Sequence, residues 1–253
     1  MSLFDYLQAF DADELAMPLM HSTATAIGAR IIVQGELRTR GCRVYGTDLL
    51  YLFYGRPAFK PLPGAAPSGI AEHLPMCLVL DPALLGDALR ILPFDSGGYG
   101  RYAPHIGPLL DRPDFELGPR GDLPMRLVRA FFDSNGNYYR ARPTAHADGI
   151  SFAHEAARAF ARLSRDQSIA DDDDRRSTIE VQIARSVPLA GALRAVVAPA
   201  SLLSDPVIAT ALAAMPNAVP ISYETYGRHQ PSAYTGLLYD HVARYLVSQK
   251  VMS

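Results

Sequence analysis

"LLYLFYGRPAFKP", residues 49–61, decides how the rest of the chain is read. Its first six residues are aliphatic or aromatic, a composition that suits a buried strand. The pattern stops on Gly55, Arg56 and Pro57, so a core strand delivers a single guanidinium at its tip. The plain reading is a strand running out to the surface, where arginine is at home. The sharper reading is an anion site. Side chains anchored in the core would hold Arg56 with little freedom to lose on meeting a phosphate. Gly55 would let the backbone approach a ligand closely, and Pro57 would end the strand.

Working outward, "AMPLMHST" reads as a strand ending on polar residues, and "ATAIGARIIVQGEL" as a helix that stops at Gly35. "MCLVLDP", "TIEVQIA", "LRAVVAP" and "AVPISYE" read as further strands. "SLFDYLQAF", "SFAHEAARAFARLSR", "DPVIATALAAM" and "YTGLLYDHVARYLVSQK" read as helices, the third capped by Asp205 with Pro206 in its first turn. "RPAFKPLPGAAPSG" is expected to cross the surface as a loop. The segment from 93 to 150, dense in glycine, proline, aspartate and asparagine, reads as long irregular loops of the kind that carry function. Strands and helices mix without βαβ alternation, so the expectation is an α+β fold in one domain spanning residues 1–253.

The 253 residues suffice for a substantial core. A net charge of -2 argues against a general nucleic-acid coat, while a local basic groove stays possible. Two cysteines, Cys42 and Cys77, are too few for a disulfide framework or a thiolate zinc site, and the seven histidines are scattered, so no metal is expected. The amino terminus lacks the basic and apolar regions of a signal peptide, and no stretch is long and apolar enough to span a bilayer. The expectation is a soluble, cytoplasmic protein with no membrane partner.

Three stretches form a candidate site: His21-Ser22-Thr23 at a strand end; Arg56 with Tyr51 and Tyr54 before it; and Glu180, a lone carboxylate in the strand "TIEVQI". Each has an ordinary reading taken singly, as a packing histidine, a surface arginine and a solvent-facing glutamate. Their order carries more. "H-S-T-x(3)-I-x(3)-I-I-x(2)-G-x-L", then "LYLFYGRPAF", then "R-x(4)-E-V-x-I" resembles the diphtheria-toxin-like ADP-ribosyltransferases, nearest to the DarT type, toxins that modify DNA. The match covers about a fifth of the chain. It implies a split β-sheet core with flanking helices and NAD as co-substrate. It also implies His21 and Thr23 on the adenosine side, Arg56 beside the pyrophosphate, and Glu180 at the scissile carbon. Arg56 is followed by Pro57-Ala58 where the family has Ser-Pro. Thr178 stands where arginine-modifying relatives carry Glu or Gln, which argues against a protein arginine as acceptor.

The residue types suit that chemistry on their own terms. Cleaving nicotinamide from ribose develops an oxocarbenium-like cation. A carboxylate bonded to the ribose 2′-hydroxyl stabilises it, and can take a proton from the attacking group. An aromatic face such as Tyr54 could stack on nicotinamide, and an arginine could fix the pyrophosphate. The acceptor stays open between DNA or RNA, protein, a small molecule and water. Arg38, Arg40 and Arg43 in "ELRTRGCRVYG" suit phosphate contacts or a solvated loop equally. "DSGGYG" at 95–100 reads as a flexible turn, the run Asp171 to Asp174 as a solvated loop, and Cys42 as a structural thiol. Two alternatives remain open: a non-catalytic nucleotide-binding or interaction module on the same fold, and an RNA 2′-phosphotransferase.

Overall fold

The structure is a computed structural model that describes residues 1–59, 70–169, 174–227 and 229–253. Its strands are β1 (Leu19–Ala24), β2 (Glu36–Leu37), β3 (Arg40–Cys42), β4 (Thr47–Tyr54), β5 (Pro75–Leu80), β6 (Ala88–Leu92), β7 (Glu180–Ile183), β8 (Val187–Pro188), β9 (Leu193–Pro199) and β10 (Val219–Tyr223). The helices are α1 (Leu3–Leu7), α2 (Thr25–Gln34), α3 (Tyr99–Ile106), α4 (Leu123–Phe132), α5 (Asn135–Tyr139), α6 (Glu155–Arg165), α7 (Leu189–Ala192), α8 (Ala200–Leu203), α9 (Pro206–Ala213) and α10 (Thr235–Ser248). The α+β expectation holds: a mostly antiparallel central sheet is covered by helices.

Among the described residues eight strands form that sheet, in the order β10-β9-β5-β1-β4-β7-β6, with β3 also pairing with β4. One joint in it is weak. β1 faces β5 over all six of its residues, from Leu19↔Leu80 to Ala24↔Pro75. It faces β4 at only two positions, Leu19↔Tyr54 and Met20↔Phe53. Beyond Met20 the two central strands part. β4 itself pairs β7 from Leu50 to Phe53 and β3 from Thr47 to Leu49.

The helix after β1 is fixed by local chemistry. Thr25 Oγ1 and Thr25 N–H both donate to the Leu74 carbonyl at 2.8 Å, tying the start of α2 to the approach of β5. A Cβ at Gly28 would meet the Met76 sulfur at 1.9 Å, so the glycine leaves room for the Met76 side chain between α2 and β5. Gly35 ends α2 in the left-handed conformation, φ 68°, with its N–H on the Ile31 and Ile32 carbonyls.

The segment read as irregular, 93–150, holds α3, α4 and α5. In α4, Leu123, Leu127, Val128 and Phe131 face the core and are fully buried, while Arg126 and Arg129 lie outward with Asp122 and Asp133. β6 is a further strand in a stretch with no strand reading. The proline-rich stretch 60–69 and the acidic residues 171–173 lie outside the described residues.

Candidate functional site

Where β1 and β4 part, a cleft of about 350 Å³ opens, with His21 and Thr23 of β1 on one side and Leu49, Leu50 and Tyr51 of β4 on another. Ile27, Ile31 and Gln34 of α2 and the segment from Glu36 to Arg40 complete its walls. One side-chain bond crosses the opening. His21 Nδ1 lies 3.3 Å from the Tyr51 carbonyl oxygen. A carbonyl only accepts, so Nδ1 carries the hydrogen and, in the neutral ring, Nε2 is left as an acceptor. Burial holds the His21 ring below the usual histidine range; the Tyr51 carbonyl opposes this and the positive charge of Arg40 adds to it. The cleft thus presents a neutral histidine, threonine hydroxyls, a glutamine amide and two guanidiniums.

Glu180 sits at the start of β7, 1% exposed. Met20 faces Phe53 across β1 and β4, and Phe53 faces Glu180 across β4 and β7. The three form one row, so the carboxylate's backbone is two strand spacings, roughly 10 Å, from the strand that carries His21. Ser96 Oγ donates to Glu180 Oε1 at 2.7 Å and Ser96 N–H to Oε2 at 3.1 Å. Gln182, two residues on and therefore on the same face, donates Nε2 to Oε1 at 2.6 Å. Arg90 Nη1 in turn donates to Gln182 Oε1 at 2.6 Å, which fixes the amide's orientation. Burial first, then the charge of Asp95, pushes Glu180 up to about 8, against the pull of the bonds from Gln182 and Ser96. Asp95 is itself held by Arg175 Nη1 at 2.7 Å. Among the described residues Glu180 is the one acidic side chain in the buried set.

The other candidates divide. Thr23 and Tyr51 line the cleft with His21; Arg56, Tyr54 and Glu180 do not. Arg56 is not a surface residue, and it does not line this cleft. It is 2% exposed, its Nη1 lies 3.2 Å from Ser177 Oγ, and its guanidinium lies 5.7 Å from the centre of the Tyr138 ring. The reason is local. Gly55 turns the chain at φ 68°, where a Cβ would strike the Met17 sulfur at 2.4 Å. The glycine therefore serves packing against Met17. Tyr54 is fully buried and its hydroxyl accepts from Met17 N–H at 2.9 Å. The Tyr138 hydroxyl donates to the Tyr54 carbonyl at 2.8 Å and accepts from Ile179 N–H at 3.0 Å, closing a stitch around the strand end.

Several side chains around this site have no reading in the sequence. Ser96 lies in the turn "DSGGYG", where glycine spacing draws attention away from the serine. Gln182 carries a usable signal, since period-two alternation sets it on the face of Glu180. Cys42 is more than a packed thiol. The Tyr51 hydroxyl lies 2.6 Å from its sulfur and the Tyr45 N–H 3.4 Å. Burial raises the thiol's proton affinity, but these bonds and that of the Val44 N–H outweigh it and lower the net value.

No family model, curated protein or solved structure matches this chain. Among the described residues no group of three or more His, Cys, Asp or Glu could hold a metal ion, and no helix is long and apolar enough to cross a membrane.

Proposed function

We propose that the protein is an NAD-dependent ADP-ribosyltransferase of the diphtheria-toxin-like kind, nearest to the DarT type. The observation that carries this reading is Glu180: a buried carboxylate of raised proton affinity, on the strand paired with the β4 wall of a cleft that opens where β1 and β4 part. Perturbed carboxylates of this sort concentrate at reacting centres. The parted sheet agrees with the split core that the resemblance implies.

In this reading the cleft takes the dinucleotide. His21 Nε2 accepts from a ribose hydroxyl on the adenosine side, Thr23 adds a hydroxyl, and Tyr51 forms part of the wall. Glu180 stabilises the cation that forms as nicotinamide leaves and receives the proton of the attacking group. Arg56 and Tyr54 brace the turn that ends β4 and do not touch the ligand. The acceptor favoured by the resemblance is a nucleic acid.

The test is to incubate the protein with NAD, alone and with DNA or RNA oligonucleotides, and to measure free nicotinamide and ADP-ribose on the oligonucleotide. Nicotinamide release that disappears in Glu180→Gln is the expected result. No release under any of these conditions overturns the reading. The sealing of Glu180 by Ser96 favours a second reading, a nucleotide-binding module without chemistry. NAD binding of equal strength in wild type and Glu180→Gln, with no release from either, would establish it.

A further inference from the structure

The cleft needs a cation if it is to hold a dinucleotide, and Arg56 does not line it. The charged groups that do are Glu36, Arg38 and Arg40, together with His21. Arg38 Nε donates to Glu36 Oε2 at 2.8 Å, so those two charges offset one another. His21 is driven toward its neutral form by burial. One net positive charge remains, that of Arg40. Its side chain is exposed, and no ion pair is formed by it among the described residues. Backbone pairing of Arg40 with Leu49 fixes the start of β3 beside the cleft wall, so the guanidinium's base is anchored. Gln34 and Thr39 add neutral hydrogen-bonding groups to the cleft lining.

We infer that Arg40 binds the phosphates of a nucleoside diphosphate seated in this cleft. A guanidinium fork matches two phosphate oxygens with paired charge-assisted bonds, which a neutral lining cannot supply. The volume of about 350 Å³ suits a small molecule, and the apolar Ile27, Ile31 and Leu50 offer a surface for the nucleoside. The inference rests on reading the cleft as a nucleotide site, but it requires no bond to be broken.

The test measures binding of ADP, adenosine, inorganic pyrophosphate and a short single-stranded oligonucleotide to wild type, Arg40→Gln and Arg40→Lys by calorimetry. ADP is expected to bind wild type about tenfold or more tightly than adenosine. That preference should vanish in Arg40→Gln, with adenosine affinity unchanged, and return in part in Arg40→Lys. Equal affinity for ADP and adenosine in wild type, or ADP affinity that survives Arg40→Gln, overturns the inference. An oligonucleotide that binds more tightly than ADP through Arg40 overturns the choice of ligand. Nicotinamide release assayed on the same proteins separates the two failures. Release without Arg40-dependent binding sinks only the present assignment; Arg40-dependent binding without release sinks only the transferase reading.

Discussion

Ser96 and Glu180 are joined at both oxygens of the carboxylate, by the serine hydroxyl at 2.7 Å and the serine N–H at 3.1 Å. With Gln182 on the same oxygen as the hydroxyl, Oε1 accepts two bonds from the protein and Oε2 accepts one. A ribose hydroxyl that bonds to Glu180 at Oε1 must displace one of these donors, and at Oε2 it shares the oxygen with the Ser96 N–H. The loop from Asp95 to Gly98 is anchored by Arg175, whose carbonyl accepts from Asp95 N–H at 3.0 Å and whose guanidinium pairs with the Asp95 side chain. The lock therefore has two halves, one on the carboxylate and one on the loop.

Removing the first half should open the site. Ser96→Ala is expected to raise nicotinamide release several-fold, because one donor that competes with substrate is gone while the anchor through Asp95 remains. The assay is initial rate at saturating NAD. A lower rate would mean that Ser96 helps to hold the carboxylate in its working orientation instead of covering it.

Glu180 should set both the chemistry and a pH dependence of stability. Glu180→Gln is expected to lower release by about 100-fold or more, with NAD binding retained. A carboxyl group whose proton affinity is higher folded than unfolded stabilises the fold at low pH. That contribution is lost as pH climbs from the ordinary value of 4.5 to the folded value of about 8. The melting temperature of wild type should therefore fall relative to Glu180→Gln between pH 5 and pH 8. A difference between the two proteins that stays constant with pH would contradict the assignment.

Arg56→Lys should damage the fold. The ammonium keeps the charge but loses the planar fork that reaches Ser177 and lies near the ring of Tyr138. A loss of about 1–3 kcal/mol in unfolding free energy is expected, read from the urea midpoint. An unchanged midpoint would return Arg56 to a role at the surface or with a ligand.

His21→Ala should act on binding. It removes the Nε2 acceptor facing the cleft and the bond to the Tyr51 carbonyl, so NAD affinity should fall about tenfold, with turnover at saturation changed far less. Normal affinity with slow turnover would place His21 in the bond-breaking step.

The strands and the longer helices were legible from local signals: "LLYLFY" as an unbroken apolar run, "TIEVQI" by alternation, Gly35 as a helix stop, Asp205 as a cap. What stayed hidden had specific causes. In α4 the buried Leu123, Leu127 and Phe131 keep helical spacing, but the glycines, prolines and aspartates on either side read as loop. α3 contains Pro104, which argues against a helix in any local reading. At the site, His21, Thr23 and Tyr51 were grouped from the order of their motifs, and the parting of β1 and β4 is what brings them to one cleft. The inward turn of Arg56 was not legible, since it depends on Met17 occupying the space beside Gly55. Ser96 was not either, because its partner lies 84 residues away.

The place of β4 in the middle of the sheet has a consequence for the chain as it is made. Between Tyr54 and Glu180 lie 125 residues, so β4 leaves the ribosome long before the strand that covers one of its edges. At about 5–20 residues per second the wait is about 6–25 s. Throughout it, "LLYLFY" exposes unpaired backbone beside a dense apolar row, the composition that recruits other chains into shared sheets. The protein's most hazardous moment is its own synthesis. Fragments that end before Glu180 should aggregate under conditions where the whole chain stays dispersed.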